Sequence, residues 1–441
     1  MVDPLPRVEL SYSSVSLPWF SVSTGRLFGG GVDCRFEAAL KILMISDVYF
    51  PRINGVSTSI QTFRHQLVAL GHEVVLVAPD YGATQSDERD VIRIPSRYLV
   101  LDPEDRMMQA KRVRELVPAL RERCFDLIHI QTPFVAHYTG MVLADRLGLP
   151  RVETYHTFFE EYLFHYVPFV PRRWMRALAR RFSRTQCNSL DAVVVPSFPM
   201  HSVLREYGVT VPLEVIPTGL ELQRFAGGEG QAFRRQHGID TSRPTLVHVG
   251  RVAFEKNIDF LLRTLVRVRQ RVPDVLLVIC GEGPSLQHLR QLAVRLGVAD
   301  NVLFVGYLDR TKGLLDCYCA GDAFVFASRT ETQGLVLLEA MALGVPVVST
   351  AVMGTRDILG PQRGALVARE EETEFAAKAV QILRDANLRR RLSEEARAYA
   401  QEWSAQHMTA RMLAFYQRVV DRGTAGRNLI QPHPQERAMQ V

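Results

Sequence analysis

Residues 328–346 read Ser-Arg-Thr-Glu-Thr-Gln-Gly-Leu-Val-Leu-Leu-Glu-Ala-Met-Ala-Leu-Gly-Val-Pro, a polar loop followed by an apolar helical pattern. The pattern predicts that the chain turns at Gly334 into a helix that runs to about Leu343. The first N–H groups of such a helix have no acceptor within it and carry partial positive charge, so they form a site for an anion such as phosphate. Glycine at the entrance lets the backbone approach that anion closely.

Two glutamates flank this turn, Glu331 just before it and Glu339 more than one helical turn after it. Carboxylates do not bind phosphate, but they accept hydrogen bonds from hydroxyl groups. The pair therefore predicts hydroxyl groups at opposite ends of one extended ligand. Taken alone, two glutamates on a helix more often form a solvated face.

Two cations lie upstream in residues 247–257, which read Val-His-Val-Gly-Arg-Val-Ala-Phe-Glu-Lys-Asn. This pattern predicts a buried strand, a glycine turn and a loop that carries Arg251 and Lys256. The two side chains can neutralise a diphosphate. Such a loop is by itself an ordinary turn, but together with the two glutamates it predicts a site for a sugar joined to a nucleotide diphosphate.

These motifs resemble those of the retaining glycosyltransferases of family 4 (group 1), which have the GT-B fold, over roughly residues 41 to 421. In this family the first glutamate contacts the donor sugar, the second contacts the ribose, and the arginine and lysine hold the diphosphate. Two backbone groups at the turn complete the phosphate site. Carried over in that order, the residues are Glu331, Glu339, Arg251, Lys256, Gly334 and Leu335.

The N-terminal half is similar to the family at two further places. Residues 46–59, Ser-Asp-Val-Tyr-Phe-Pro-Arg-Ile-Asn-Gly-Val-Ser-Thr-Ser, resemble its first strand and glycine loop. The resemblance implies that Asn54 and Gly55 bind the donor, with Gly55 beside its phosphate. Residues 154–157, Thr-Tyr-His-Thr, resemble the segment whose histidine lies near the donor sugar, which implies a catalytic role for His156.

Short apolar runs alternate with helical patterns along the chain, which predicts an α/β fold with parallel sheets covered by helices. The runs form two sets, so we expect two Rossmann-like domains with the ligand in the cleft between them, at the carboxyl ends of the strands. The acceptor-side domain should comprise residues 41–220 and a returning helix at 404–421, and the nucleotide-sugar-binding domain residues 221–403. We expect residues 1–40 to be a disordered extension and residues 422–441 to be a loose tail.

The composition suits an enzyme of this kind. A chain of 441 residues with 47% hydrophobic residues is long enough for two sizeable cores. Its six cysteines form no Cys-x-x-Cys pair, which predicts a reduced, cytoplasmic chain. We find no apolar run of about 18 residues and no signal-peptide pattern, so we expect at most a peripheral position on the inner face of the membrane.

The chain contains no Asp-x-Asp triplet. We therefore expect a metal-independent enzyme without a cofactor, in which Arg251, Lys256 and the helix amides supply the positive charge at the diphosphate. The family resemblance implies transfer with retention at the anomeric carbon. The leaving phosphate oxygen can take the acceptor proton, so Glu331 would orient the sugar rather than attack it.

Residues 171–184, Pro-Arg-Arg-Trp-Met-Arg-Ala-Leu-Ala-Arg-Arg-Phe-Ser-Arg, predict a helix with an arginine stripe beside a stripe of Trp174, Leu178 and Phe182. Such a surface can lie in an anionic membrane interface. The candidate membrane contacts are Arg172, Arg173, Trp174, Arg176 and Arg180. The aromatic residues 158–166 just upstream suggest the frame of a lipid entrance. In the alternative interpretation, the apolar stripe packs on its own sheet and the arginines are merely solvated.

Several motif variants resemble the branch of the family that glycosylates diacylglycerol or related membrane lipids. Among them is Gln333, where many relatives carry Phe. This likeness favours a lipid acceptor, with UDP-glucose as the donor. Residues 353–357, Met-Gly-Thr-Arg-Asp, depart from the usual Gly-Gly-x-x-Glu, which leaves the donor base and sugar open.

Other functions remain alternatives. The chain is alternatively a mannosyl- or other glycosyltransferase with a soluble or polysaccharide acceptor, or a non-catalytic protein that binds nucleotide sugars. A dinucleotide oxidoreductase is disfavoured because Gly281-Glu-Gly-Pro284 lacks the third glycine. A pI near 9.0 comes without a recognisable nucleic-acid-binding module, so we expect no nucleic-acid partner.

Overall fold

The computed structural model describes residues 39–82, 88–98, 106–156 and 172–430, without the side chains of residues 172 and 424–430. The expected N-terminal extension up to residue 38 and the aromatic residues 158–166 therefore lie outside the described residues. The strands are β1 Lys41–Ile45, β2 Glu73–Pro79, β3 Val91–Ile94, β4 Ser96–Tyr98, β5 Arg106–Met108, β6 Leu127–Ile130, β7 Arg151–Thr154, β8 Ala192–Val195, β9 Leu213–Val215, β10 Thr245–Val249, β11 Leu276–Cys280, β12 Val302–Gly306, β13 Ala323–Phe326, β14 Val347–Ser349 and β15 Ala365–Val367.

The helices alternate with these strands. They are α1 Gly55–Ala69, α2 Ala110–Glu115, α3 Val117–Glu122, α4 Val135–Leu147, α5 Arg172–Cys187, α6 Phe198–Glu206, α7 Gly230–Gln236, α8 Ile258–Arg271, α9 Leu286–Arg295, α10 Gly313–Cys319, α11 Leu335–Ala342, α12 Thr355–Leu359, α13 Glu372–Arg384, α14 Ala386–Gln401 and α15 Ala405–Ile430. Short 3-10 turns cover Leu222–Phe225, Phe254–Lys256 and Ala299–Asn301.

Two parallel sheets confirm the predicted α/β class. The first has the order β3-β2-β1-β6-β7-β8-β9, and the second has the order β12-β11-β10-β13-β14-β15. Every residue of β1 after Lys41 and all of β10 and β13 is buried, because helices cover both faces of each sheet. Both orders reverse beside their first strand, the arrangement of Rossmann-like domains, and this reversal opens a crevice at the carboxyl ends of the strands.

The chain crosses between the two sheets twice, and the two crossings touch. Leu220 pairs with the segment 403–405: its N–H donates to the Trp403 carbonyl at 2.8 Å, and its carbonyl accepts from Ala405 N–H at 2.8 Å. Gly219 is needed here, because a Cβ at this position would lie 2.6 Å from Cα of Ala405. The backbone therefore enters and leaves the second domain at one point.

The last helix, α15, packs back on the first domain. On this helix the Tyr416 hydroxyl lies 2.6 Å from Nδ1 of the buried His129 on β6. The helix continues past residue 421 to Ile430, where we expected a loose tail, because extending an existing helix needs no new nucleus. Residues 431–441 lie outside the described part of the chain. Within that part, no helix is both long and apolar enough to cross a membrane.

Candidate active site

The turn that opens α11 forms where the sequence predicts it. Gly334 has φ +101°, a left-handed conformation in which other residues are strained, and α11 begins at the next residue. A Cβ at Gly334 would also lie 3.0 Å from Cγ2 of Thr355. Glycine offers no capping side chain to the first amides of α11, of which Leu337 N–H donates to the Gly334 carbonyl at 3.0 Å. The turn follows β13, at the carboxyl edge of the second sheet.

Glu331 and Lys256 lie in direct contact, although the sequence separates them by 75 residues. The Lys256 ammonium donates to Oε1 of Glu331, and about a fifth of each side chain is exposed. Asn257, which follows Lys256 in the left-handed conformation, donates through its side chain to the Ala327 carbonyl at 3.2 Å and thereby fixes the loop to the end of β13. The sequence predicted both residues at the ligand but not their mutual ion pair.

Glu339 is buried and already has two partners. Arg310 donates to its Oε1 at 2.8 Å, and the buried Tyr318 hydroxyl donates to its Oε2 at 2.8 Å. Burial raises the pKa of Tyr318 well above its usual value, so this hydroxyl stays a donor. The two donors hold the carboxylate in one orientation. Sequence reasoning missed both, since Arg310 lies 29 residues away and Tyr318 sits in a helix whose pattern indicates only packing.

A small cavity of about 30 Å³ lies between the two domains beside this carboxylate. Thr58 and Thr62 of α1 form its first-domain wall, and Leu335 and Glu339 belong to its second-domain wall. The remaining lining residues are Gly219, Leu220, Glu221, Arg224, Phe225, Arg310 and Leu314. The structure thus brings α1 and the start of α11 together, in the cleft where the sequence predicts the ligand.

At the N-terminus of α1, Asn54 caps the helix. Its side chain accepts from Ser57 N–H at 2.9 Å, and the Ser57 hydroxyl accepts from Asn54 N–H at 2.9 Å. Gly55 is exposed, and a Cβ added to it would meet no atom within 4 Å. The cap therefore uses the side-chain oxygen of Asn54, a residue that the resemblance assigns to the donor, whereas Gly55 leaves open space for a ligand.

His156 follows β7 at the carboxyl edge of the first sheet. Its Nε2 lies 3.2 Å from Oε1 of Gln131, which directly follows β6. Loss of hydration lowers the pKa of His156 to about 4, so its imidazole is neutral at neutral pH. Gln131 is a further candidate, and the signal for it was its place at the end of a predicted strand.

The basic helix α5 exposes two of the three residues of its apolar stripe. Trp174 is 75% and Leu178 61% exposed, whereas Met175 and Ala179 are buried against the domain. Trp174 and Leu178 therefore do not pack on the sheet, whereas Phe182, the third residue of the stripe, is half-buried.

The arginines of α5 divide into two groups. Arg173 and Arg181 are exposed, and Arg181, seven residues after Trp174, lies on the same face as Trp174. Arg180 instead stacks over the Tyr207 ring at 5.3 Å, so this predicted membrane contact also packs on its own domain. Arg176 is half-buried, and the Arg172 side chain lies outside the described residues.

Comparison with known families covers both domains. Residues 53–224 match the family described as Glycosyltransferase Family 4, and residues 230–399 match the family described as Glycosyl transferases group 1. The boundary between the two matches falls at the cavity-lining segment 219–225.

Individual relatives agree with this. The chain is 33% identical over 319 residues to the alpha-monoglucosyldiacylglycerol synthase of Streptococcus pneumoniae, covering 70% of this chain and 71% of that protein. It is 28% identical over 349 residues to the GDP-mannose-dependent alpha-mannosyltransferase of Mycobacterium tuberculosis, covering 76% and 85% of the two chains. Among solved structures, Alr3699/HepE from Anabaena in complex with UDP superposes with a TM-score of 0.69 at 18% identity, over 86% of this chain and all of that one.

Proposed function

The chain belongs to the group 1 glycosyltransferases of family 4, and from this membership we propose that it moves a hexose from a nucleotide diphosphate sugar to a hydroxyl group of a membrane lipid. Glucose carried by UDP is the favoured donor, and diacylglycerol is the favoured type of acceptor. The 33%-identical relative from Streptococcus pneumoniae, named for monoglucosyldiacylglycerol synthesis, supports this acceptor.

The proposal depends above all on the pairing of cations, carboxylates and helix amides at one sheet edge. Lys256 and the N-terminus of α11 offer positive charge, and Glu331 lies against Lys256. Glu339 lies one turn into α11 beside the cavity, where it can accept from a ribose hydroxyl once Arg310 or Tyr318 shares its oxygens. An extended ligand with a diphosphate in its middle and hydroxyl groups at its ends fits this order of charges.

The chemistry that we propose needs only groups of the chain and its substrates. A phosphate at the start of α11 gains hydrogen bonds from the amides, and Arg251 and Lys256 stabilise the charge that grows as the bond to the sugar breaks. We propose transfer with retention and without a metal ion. The neutral His156 would bind the donor sugar without adding a positive charge.

The exposed stripe of α5 supports a membrane acceptor. Trp174 and Leu178 are exposed beside Arg181, a combination that suits an anionic bilayer surface. Peripheral contact through this helix would bring the first domain to the lipid.

One assay tests the proposal. Purified protein is incubated with UDP-glucose, UDP-galactose, GDP-mannose or ADP-glucose and vesicles that contain diacylglycerol, and the lipid and aqueous fractions are analysed for the sugar. We expect UDP release with an α-linked glucosyl lipid, unaffected by a metal chelator. Transfer from GDP-mannose only, as the name of the mycobacterial relative suggests for that protein, would replace the favoured donor. Absence of any donor consumption contradicts the proposal.

A further inference from the structure

In sequence, Gln333 lies between the two glutamates of the candidate site. Its side chain points to the crossing segment at Thr218. It is buried, with 6% of its surface exposed. Its Nε2 donates to the Thr218 carbonyl at 2.7 Å, and its Oε1 accepts from Thr218 N–H at 2.8 Å. Two bonds to one backbone residue fix both the position and the direction of the amide, which therefore ties the donor turn to residue 218.

Thr218 belongs to the crossing segment that precedes the second domain, and its side chain forms a further hydrogen bond to the first domain. Its hydroxyl donates to the hydroxyl oxygen of Ser59 at 2.7 Å, and both side chains are buried. Ser59 lies on α1, one turn after Gly55. A continuous chain of hydrogen bonds thus runs from the turn at Gly334 through the crossing to the helix on the opposite wall of the cavity.

Each end of this chain of hydrogen bonds is held by further backbone contacts. On the donor side, Gly354 N–H donates to the Glu331 carbonyl at 2.8 Å, and a Cβ at Gly354 would lie 2.0 Å from the Thr332 carbonyl oxygen. At the crossing, Leu220 is paired with the second crossing on both its backbone groups. Because the turn and the crossing segment are both held in this way, we expect the Gln333 amide to fix the distance between them.

We infer that Gln333 is a positioning residue, which sets the distance between the turn at Gly334 and α1 and so aligns the two walls of the donor site. The inference rests on the proposed function, since it concerns how that donor is held. A bond that only stabilised the fold would change the melting temperature and leave kinetics unchanged in the folded protein.

The first test replaces Gln333 by Met, which has a similar length and cannot form either hydrogen bond. We expect kcat/KM for the donor to fall at least tenfold at a temperature where circular dichroism shows the variant folded, while KM for the acceptor stays within twofold. The matched control is Gln381→Met on the exposed surface of α13, which should equal wild type. Wild-type kinetics in Gln333→Met would overturn the inference.

The second test asks whether the hydrogen bonds from Gln333 through Thr218 to Ser59 act as a unit. Ser59→Ala removes the acceptor of the Thr218 hydroxyl, and it is combined with Gln333→Met. Residues of one network are non-additive, so the double variant should lose no more activity than Gln333→Met alone. A loss equal to the product of the two single losses would show independent effects and overturn the inference.

Hydrogen exchange separates this inference from the proposed function. In Gln333→Met, amides of residues 55–62 and 215–220 should exchange faster than in wild type, whether or not the protein turns over. If wild type consumes no donor, the proposed function is wrong and exchange alone decides the coupling. Equal exchange rates in the two proteins contradict the coupling even if the enzyme is active.

Discussion

The ion pair between Lys256 and Glu331 neutralises both groups before a ligand arrives. A diphosphate would bind the Lys256 ammonium in place of Glu331. The Glu331 carboxylate could then accept a hydrogen bond from a sugar hydroxyl. In the proposed function, binding of the two halves of the donor would thus be coupled through one contact, because neither group would be left with an unpaired charge in a partly buried site.

Lys256→Ala should weaken donor binding by about 10- to 100-fold, because a charge-assisted hydrogen bond contributes about 1.5–3 kcal/mol. Titration calorimetry with UDP-glucose measures the change. Lys111→Ala, which removes an exposed lysine of α2, is the matched control and should bind as wild type does. Equal affinities of Lys256→Ala and wild type would remove this residue from the site.

Asp357 gives a pH-dependent contribution at the contact between the domains. Its carboxylate accepts from Phe198 N–H at 2.7 Å, and burial raises its pKa from 3.8 to about 6. Because the pKa of Asp357 is higher in the folded than in the unfolded protein, its protonated form stabilises the fold. This stabilisation is fully present below about pH 4 and is lost as the pH rises through 6. Asp357→Asn retains an acceptor for Phe198, so at pH 7.5 it should unfold at equal or higher denaturant concentration.

The size of this effect is about 1–2 kcal/mol, given 1.4 kcal/mol for each unit of pKa difference and some solvent screening. Urea unfolding of wild type and variant at pH 4.5 and 7.5 measures it, with the exposed Asp274→Asn as control. If Asp357→Asn is clearly less stable than wild type at pH 7.5, the ionised carboxylate stabilises the folded protein, which contradicts our prediction.

The sequence predicted the glycine turn, which the structure has at Gly334, but not which side chains meet. That Glu331, Glu339, Arg251 and Lys256 bind the ligand stays a prediction. The partners Lys256 and Glu331, and Arg310 and Glu339, are distant in sequence. Local patterns carry propensity and periodicity, whereas such contacts are decided by how whole elements pack. The polar groups at strand ends are the exception, because parallel strands bring their carboxyl ends to one edge.

At the scale of elements, α5 shows how an amphipathic pattern can mislead. Its stripe of Trp174 and Leu178 has helical spacing, but the face that packs is the one with Met175 and Ala179. Small and flexible side chains fit close to a neighbouring surface more readily than tryptophan does. Periodicity therefore predicted the helix correctly and left open which face is buried.

Replacing Trp174 and Leu178 together by Ser should lower binding to vesicles of anionic lipid by about tenfold or more, because partial burial of these side chains is lost. Sedimentation with vesicles measures it. Activity towards a soluble short-chain acceptor should remain unchanged. Undiminished sedimentation would exclude α5 as the membrane contact.

Arg173 and Arg181, two of the exposed arginines of this helix, should act through charge. We expect the double variant Arg173→Gln with Arg181→Gln to lose about 1 kcal/mol of binding free energy to anionic vesicles for each residue replaced, and less at high salt. The matched control is Arg390→Gln with Arg391→Gln on α14 of the second domain. An equal loss in both double variants would indicate general charge attraction instead of a contact by α5.

The molecule as a whole should respond to nucleotide as one unit, because its cavity has walls from both domains. At a UDP concentration 100 times the dissociation constant, the stabilisation is about 2.7 kcal/mol. Calorimetry should show a rise in Tm with UDP and a much smaller rise with uridine, which lacks the diphosphate. Equal shifts with both ligands would contradict a phosphate site at α11.

The contact between the two crossings has a consequence for the evolution and engineering of the chain. Because Gly219 and Ala405 touch, the segment between them is topologically an insertion into an otherwise continuous protein. Excising it and closing the gap with a few residues should leave a free-standing lobe that still carries α15, and the removed piece should be expressible by itself, since its ends are adjacent. Circular permutants opened elsewhere in either half should likewise remain viable.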